Sequence, residues 1–155
     1  MPEMCTDSWQ GRALVVGAGG IGRALSMELA RRHPSLEVTL ATRHPLSNDI
    51  WTVDLQCPDS LSQLTEQLIA DSQPLRVVIN ATGRLHGPSY QPEKRLQHAE
   101  QSALLDSFAI NAAGPLLLAK SVEPVLARDR PFHFASLSAR VGSISDNRSG
   151  GWYAY

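Results

Sequence analysis

The chain has 155 residues, 43% of them hydrophobic and 19% charged, with a formal net charge of -1. That length fits one domain over residues 1–155, with a core large enough for independent folding. The near-neutral charge excludes an electrostatic drive towards nucleic acid or an anionic membrane and leaves a small soluble partner as the default. Met1 to Gln10 has acidic and polar residues and no apolar run, unlike a secretory or transit signal, and no stretch approaches the roughly 20 apolar residues of a membrane span. Cys5 and Cys57 have no Cys or His at metal-ligand spacing and read as reduced thiols, which places the protein in the cytoplasm.

Short β-branched runs alternate with stretches of helical period, the pattern of βαβ units around a parallel sheet. A first strand, Arg12 to Val16, is followed by a glycine turn. A helix from about Ile21 to Arg32 places Ala24, Leu25 and Leu29 on one face and ends at His33-Pro34. Leu36 to Ala41 is the second strand, Trp51 to Val53 a short third, and Pro58-Asp59-Ser60 caps a helix over about Ser60 to Ala70 that aligns Leu61, Leu64 and Leu68. Leu75 to Asn80 is the fourth strand.

Gly83 to Arg95, rich in proline, glycine and charge, is a surface loop of the kind that borders ligands after parallel strands. A long helical segment begins near Ala99, bends at Asn111 to Pro115 and continues to Leu126, with Leu116 to Leu118 in core or interface. Phe132 to Leu137 is the last strand, and Ser138 to Tyr155 a Gly/Ser-rich loop. Five strands and about four helices make a doubly wound, Rossmann-like parallel sheet.

Val15 and Val16 feed into Gly17-Ala18-Gly19-Gly20-Ile21-Gly22, with Gly17, Gly19 and Gly22 at G-x-G-x-x-G spacing. The first glycine permits a tight turn, the second lets a pyrophosphate approach the backbone, and the third lets helix and strand pack closely. The helix start then offers unpaired N–H groups and a positive dipole end. A tight turn without a ligand has the same spacing, so the surroundings decide. A carboxylate ending the second strand would hold the ribose hydroxyls of NAD(H), but Leu40-Ala41-Thr42-Arg43-His44 has none and offers Arg43, which favours the 2′-phosphate of NADP(H). Arg23 and His44 are further candidates for that phosphate. Asp54 can accept from an adenine amino group and Leu55 can pack on the ring, while an ordinary loop would also accommodate both. In Asn80-Ala81-Thr82-Gly83, small residues let the backbone run close to a ligand and Asn80 can tie neighbouring strands.

Taken together, Gly17 to Gly22, Asp54-Leu55, Asn80 to Gly83, Asn111 in Ile110-Asn-Ala-Ala-Gly114, and the serine-rich strand end followed by Tyr155 resemble the short-chain dehydrogenase/reductase family in order and spacing. Ser138 to Tyr155 is most similar to its C-factor and sniffer-type carbonyl reductase subgroup. The resemblance implies a tyrosine that protonates a carbonyl while NADPH delivers hydride. It also implies a serine that orients the carbonyl, a lysine four residues after the tyrosine that lowers its pKa, and an asparagine that completes a proton path.

Carried over, Asn111 matches the asparagine and Tyr155 the tyrosine, with Tyr153 and Trp152 lining a pocket. The serine stays open between Ser138 and Ser143, because the family's usual position falls on Ala139. The lysine's position lies beyond residue 155, as do the later elements that complete the sheet, shape the substrate pocket and make the family's homo-oligomeric contacts. The domain is therefore expected to be incomplete at its C-terminal end. The first expectation is an NADP(H)-dependent enzyme acting on a small carbonyl or alcohol; the alternative is a nucleotide-binding regulator or inactive fragment without turnover. The histidines have no spacing that suggests metal ligands.

Overall fold

In a computed structural model of the protein, residues 9–87, 90–126, 128–146, 148 and 150–155 are described. Cys5 and most of the N-terminal segment read above lie outside them. Five strands, β1 (Gly11–Val16), β2 (Leu36–Thr42), β3 (Trp51–Thr52), β4 (Leu75–Asn80) and β5 (His133–Ser136), form a sheet of order β3-β2-β1-β4-β5. Every pairing is parallel. Helices α1 (Gly20–Arg32), α2 (Pro58–Asp71), α3 (Gln101–Phe108) and α4 (Gly114–Val122) complete the Rossmann-like arrangement, with a π-helical turn, Ala109–Ala113, joining α3 to α4.

The central strand β1 is buried along its whole length, as a strand covered on both faces must be. Its alternate residues feed two cores. Leu14 and Val16 join Val78, Leu61, Leu64, Leu68, Leu118 and Val122 under α2 and α4, whereas Ala13 joins Leu36, Val77 and Leu29 on the α1 side. Helices on both faces of one parallel sheet are the doubly wound layout read from the sequence.

Several boundaries shift for local reasons. Helix α2 starts at Pro58, with Cys57 as its cap residue, because a proline lacking N–H suits the first helical position. Ser60, read as part of the cap, accepts a hydrogen bond from the Asp54 N–H at 2.9 Å. The third strand stops at Thr52, but the Val53 N–H still donates to the Thr42 carbonyl at 3.0 Å. Ala24 is exposed, and the only buried residue of α1 is Gly22, so that helix rides on the sheet through Leu25 and Leu29, which are half-buried.

The run Gln101–Val125 has an 18-residue window of mean hydropathy 1.4, long and apolar enough to cross a membrane by length and composition, contrary to the sequence reading. Here it is a helix of the fold itself: Ala103, Ser107, Gly114, Leu118 and Val122 form its buried face, while Leu105, Phe108 and Leu116 are exposed.

Two buried cations, Arg12 and Arg76, were not anticipated. Arg12, 3% exposed on β1, donates twice to Asp71 at 2.6 Å, pairs with Glu37 at 2.9 Å, bonds the Thr39 hydroxyl, and stacks 5.0 Å from the Trp51 ring. This group joins β1, β2, β3 and α2 at the end of the sheet remote from the glycine turn.

Candidate active site

The glycine turn leaves β1 at Val16 between the ends of its two neighbours. The Gly17 N–H donates to the Ala41 carbonyl and the Ala81 N–H to the Val16 carbonyl, both at 2.8 Å. Gly17 has φ +112°, and a Cβ there would stand 2.8 Å from the Ala81 carbonyl carbon, so both conformation and space demand glycine. Gly22 packs directly on the Gly17 carbonyl oxygen, with no room for a side chain. Gly19 and Gly20 differ: a Cβ on either would meet nothing within 4 Å. They are glycines facing open space at the start of α1, where no side chain caps the helix and its first turn has no acidic residue. The exposed N–H groups and positive dipole end therefore remain available to an anion.

That space opens into a cleft of about 280 Å³. Gly17, Gly19, Thr42, Arg43, Asp54, Leu55, Ala81, Thr82 and Gly83 line it, as do Val16, Val53, Gln56, Arg84 and Ile110. The sequence reading named the first group; the second is placed by strand ends and loop course, which no local motif reports. Of the other residues assigned to the cofactor, Gly20 starts the helix at the rim, Ile21 is exposed, and Gly22 and Asn80 are buried behind the lining.

Each strand end contributes distinct chemistry. Arg43 is exposed at the mouth and its Nε donates to His44 Nε2 at 3.1 Å. Arg23 donates from Nε to the Ala18 carbonyl at 2.9 Å, bracing the turn. Asp54 Oδ1 accepts from the Gln56 N–H at 2.9 Å, and Leu55, 5% exposed, also packs against Gly114. Asn80, 1% exposed, ties β4 to β5: its Nδ2 donates to Ser136 Oγ at 3.0 Å while Oδ1 accepts from the Thr82 hydroxyl at 2.6 Å and the Thr82 N–H at 3.2 Å.

Asn111 sits within the π-helical turn, the place where the sequence led us to expect a bend. Its Oδ1 accepts from the Arg84 N–H at 2.7 Å and its Nδ2 donates to the Arg84 carbonyl at 2.7 Å and to Ser107 Oγ at 3.0 Å. The loop after β4 is held again farther along. Arg84 Nη1 and the Tyr90 hydroxyl both donate to Asp106 Oδ2, at 2.5 and 2.6 Å. The hydrogen bonds from Tyr90 and then Arg84 hold the Asp106 carboxyl below its ordinary pKa. Burial, and then the bond to Asp106, push the Tyr90 phenol up.

Ser138 and Tyr155 converge on Gly142. The Tyr155 ring lies 3.5 Å and Ser138 Oγ 3.6 Å from where a Cβ on Gly142 would stand. Ser143 turns elsewhere, its Oγ lying 3.2 Å from Ser145 Oγ and accepting from the Asp146 N–H at 3.3 Å. Ser138 thus shares contact around Gly142 with Tyr155, while Ser143 directly follows that glycine in the chain. Tyr153 is 45% exposed. Among the described residues no group of His, Cys, Asp and Glu is arranged to hold a metal ion.

The sequence pattern of the short chain dehydrogenase family matches residues 12–132. No curated protein sequence gives a significant match. Among solved structures, an NADPH-bound carbonyl reductase from chicken fatty liver superposes with a TM-score of 0.77 at 19% identity, over 92% of this chain and 62% of that one. The carbonyl reductase Sniffer of D. melanogaster gives 0.74 at 24% identity, over 95% of this chain and 68% of its own. A short-chain dehydrogenase/reductase from Burkholderia multivorans with bound NADP gives 0.75 at 21% identity, over 95% and 66%. The chain thus spans about two thirds of the length of these proteins, and at such identities the likeness is one of fold.

Proposed function

Because the chain belongs to the short chain dehydrogenase family, with the family pattern running through residues 12–132, we propose that it is an NADP(H)-dependent oxidoreductase that reduces a small carbonyl compound, or oxidises the corresponding alcohol. The observation that carries this reading is the open turn at Gly19 and Gly20, joined by one cleft to Arg43 at the end of β2. Its shape and charge suit a dinucleotide: the turn leaves room and N–H donors for a pyrophosphate, and Arg43 stands where a carboxylate would otherwise select unphosphorylated ribose. NADP-bound and NADPH-bound proteins of the same fold add support.

In this reading Gly17 to Gly22 and Ala81 to Gly83 hold the dinucleotide, whose nicotinamide supplies or accepts the hydride. Tyr155 gives its hydroxyl proton to the carbonyl oxygen as the alcohol forms, and takes it back in the reverse direction. Ser138 donates a hydrogen bond to the same oxygen and so fixes which face of the carbonyl is presented. Asn111, anchored to Arg84, supports the proton path behind the tyrosine. The substrate is a small carbonyl compound or alcohol, and a longer chain that carries the family's later elements would work as a cytoplasmic homo-oligomer.

The test is NADPH oxidation, followed by absorbance, with a panel of aldehydes and ketones. Tyr155→Phe is expected to lower kcat by roughly 10²–10⁴-fold, the usual contribution of a positioned acid, with NADPH affinity unchanged. Ser138→Ala should also be severely impaired, whereas Ser143→Ala should stay near wild type. Full turnover in Tyr155→Phe would remove the proposed proton donor.

A further inference from the structure

Neither the family motifs nor the cleft accounts for Glu93. It lies in the loop between β4 and α3 yet is 4% exposed, an unusual place for a carboxylate, which loses hydration on burial. What buries it is the segment that ends in Tyr155. The Glu93 carbonyl accepts from the Trp152 N–H at 2.8 Å, and its carboxylate Oε2 accepts from the Ala154 N–H at 3.4 Å. The two bonds grip alternate residues of the segment. Gly151 fits against the same point: its φ is +80° and a Cβ would stand 2.7 Å from the Glu93 carbonyl oxygen. Trp152 also takes a positive φ of 59°, and the Tyr155 N–H then donates to the Trp152 carbonyl at 3.1 Å, closing a turn that starts from the residue Glu93 holds.

Resting on the reductase reading above, we propose that Glu93 is the positioning residue for the proton-donating tyrosine: it anchors Trp152 and Ala154 so that Tyr155 is held beside Ser138. The same loop is fastened at its other end by Asn111 through Arg84 and in its middle by Asp106 through Tyr90. Glu93 therefore ties the tyrosine segment to the wall of the nucleotide cleft, and the two reacting sides share one support.

Three variants of the full-length protein test this, with NADPH and 4-nitrobenzaldehyde as the probe pair and amide hydrogen exchange as a readout independent of turnover. Glu93→Ala removes the carboxylate and leaves the backbone carbonyl that receives the Trp152 N–H, so it should lower kcat at least tenfold with KM for NADPH within twofold of wild type, and the Ala154 amide should lose protection. Glu93→Gln keeps an acceptor oxygen in the same place and should retain kcat within threefold. Gly151→Ala should repeat the Glu93→Ala result by forcing the segment off the loop. If Glu93→Ala keeps wild-type kcat, or if Gln fails to rescue where Ala fails, the proposal is overturned. Lower melting temperatures with unchanged kcat per folded molecule overturn it as well. A wild-type protein that turns over no carbonyl compound counts against the reductase reading instead, and the exchange data then decide the anchoring by Glu93 separately: equal protection in Glu93→Ala and wild type overturns it.

Discussion

Asn111 and Arg84 are joined by two hydrogen bonds of 2.7 Å, the side-chain amide of one reading both the N–H and the carbonyl of the other's backbone. The amide of asparagine is suited to this because it presents a donor and an acceptor side by side. Asn111→Ala leaves both backbone groups without that partner and should cost about 1–3 kcal/mol of stability in urea unfolding. Asn111→Asp should fall between the two, since it keeps the acceptor and loses the donor.

The glycines of the turn separate folding from binding. Gly17→Ala puts a Cβ into the Ala81 backbone at positive φ and should destabilise by roughly 1–3 kcal/mol. Gly19→Ala meets no atom and should change stability by no more than about 1 kcal/mol, yet it fills the space offered to a pyrophosphate. NADPH titration of that variant should give a Kd raised at least tenfold, about 1.4 kcal/mol. Unaltered affinity in Gly19→Ala would argue against a dinucleotide at this turn.

Arg43→Asp should exchange the preference between phosphorylated and unphosphorylated cofactor. Loss of a charge-assisted hydrogen bond should weaken NADPH binding by about 1.5–3 kcal/mol, and the new carboxylate can accept from ribose hydroxyls, favouring NADH. Parallel fluorescence titrations with the two nucleotides provide the check. A wild type that binds NADH more tightly than NADPH would remove the role given to Arg43.

The Tyr90–Asp106 pair predicts how stability responds to pH. The Asp106 pKa is depressed in the folded protein, so its contribution is present above the ordinary carboxylate value and is lost as pH falls through the lowered one. The Tyr90 pKa is raised, so its contribution is present below about 10 and is lost as pH climbs through the raised value. The stability difference between wild type and Tyr90→Phe should therefore be greatest near pH 7 and shrink at both pH 3 and pH 11, as urea midpoints would record.

The βαβ frame was readable from the sequence because its signals are local. Apolar runs mark the buried strands, and glycine spacing marks a turn whose geometry depends on a few successive residues. The strand order β3-β2-β1-β4-β5, which brings Arg43, Asp54 and Ala81 to one cleft, is a property of the assembled sheet and no local signal reports it. Glu93 and Arg12 were not readable. The first owes its burial to Trp152 and Ala154, and the second to Asp71, each about sixty positions away in the chain, and single-residue chemistry predicts solvent for both. The approach of Ser138 and Tyr155 to Gly142 likewise depends on the course of the loop.

The pairing of Val16 with Asn80 has a kinetic consequence. The two walls of the cleft, the turn after β1 and the loop after β4, are distant in the chain and come together only when β4 docks in parallel beside β1. Such pairings form slowly, because a long loop must close before any contact compensates for the lost entropy. The cleft also needs Arg43, Asp54 and Leu55 from the loops beyond β2 and β3, so it is complete only in the native state. NADPH added during refolding should leave the folding rate nearly unchanged and act by slowing unfolding, so that the cofactor lengthens the lifetime of the native state without hastening its arrival.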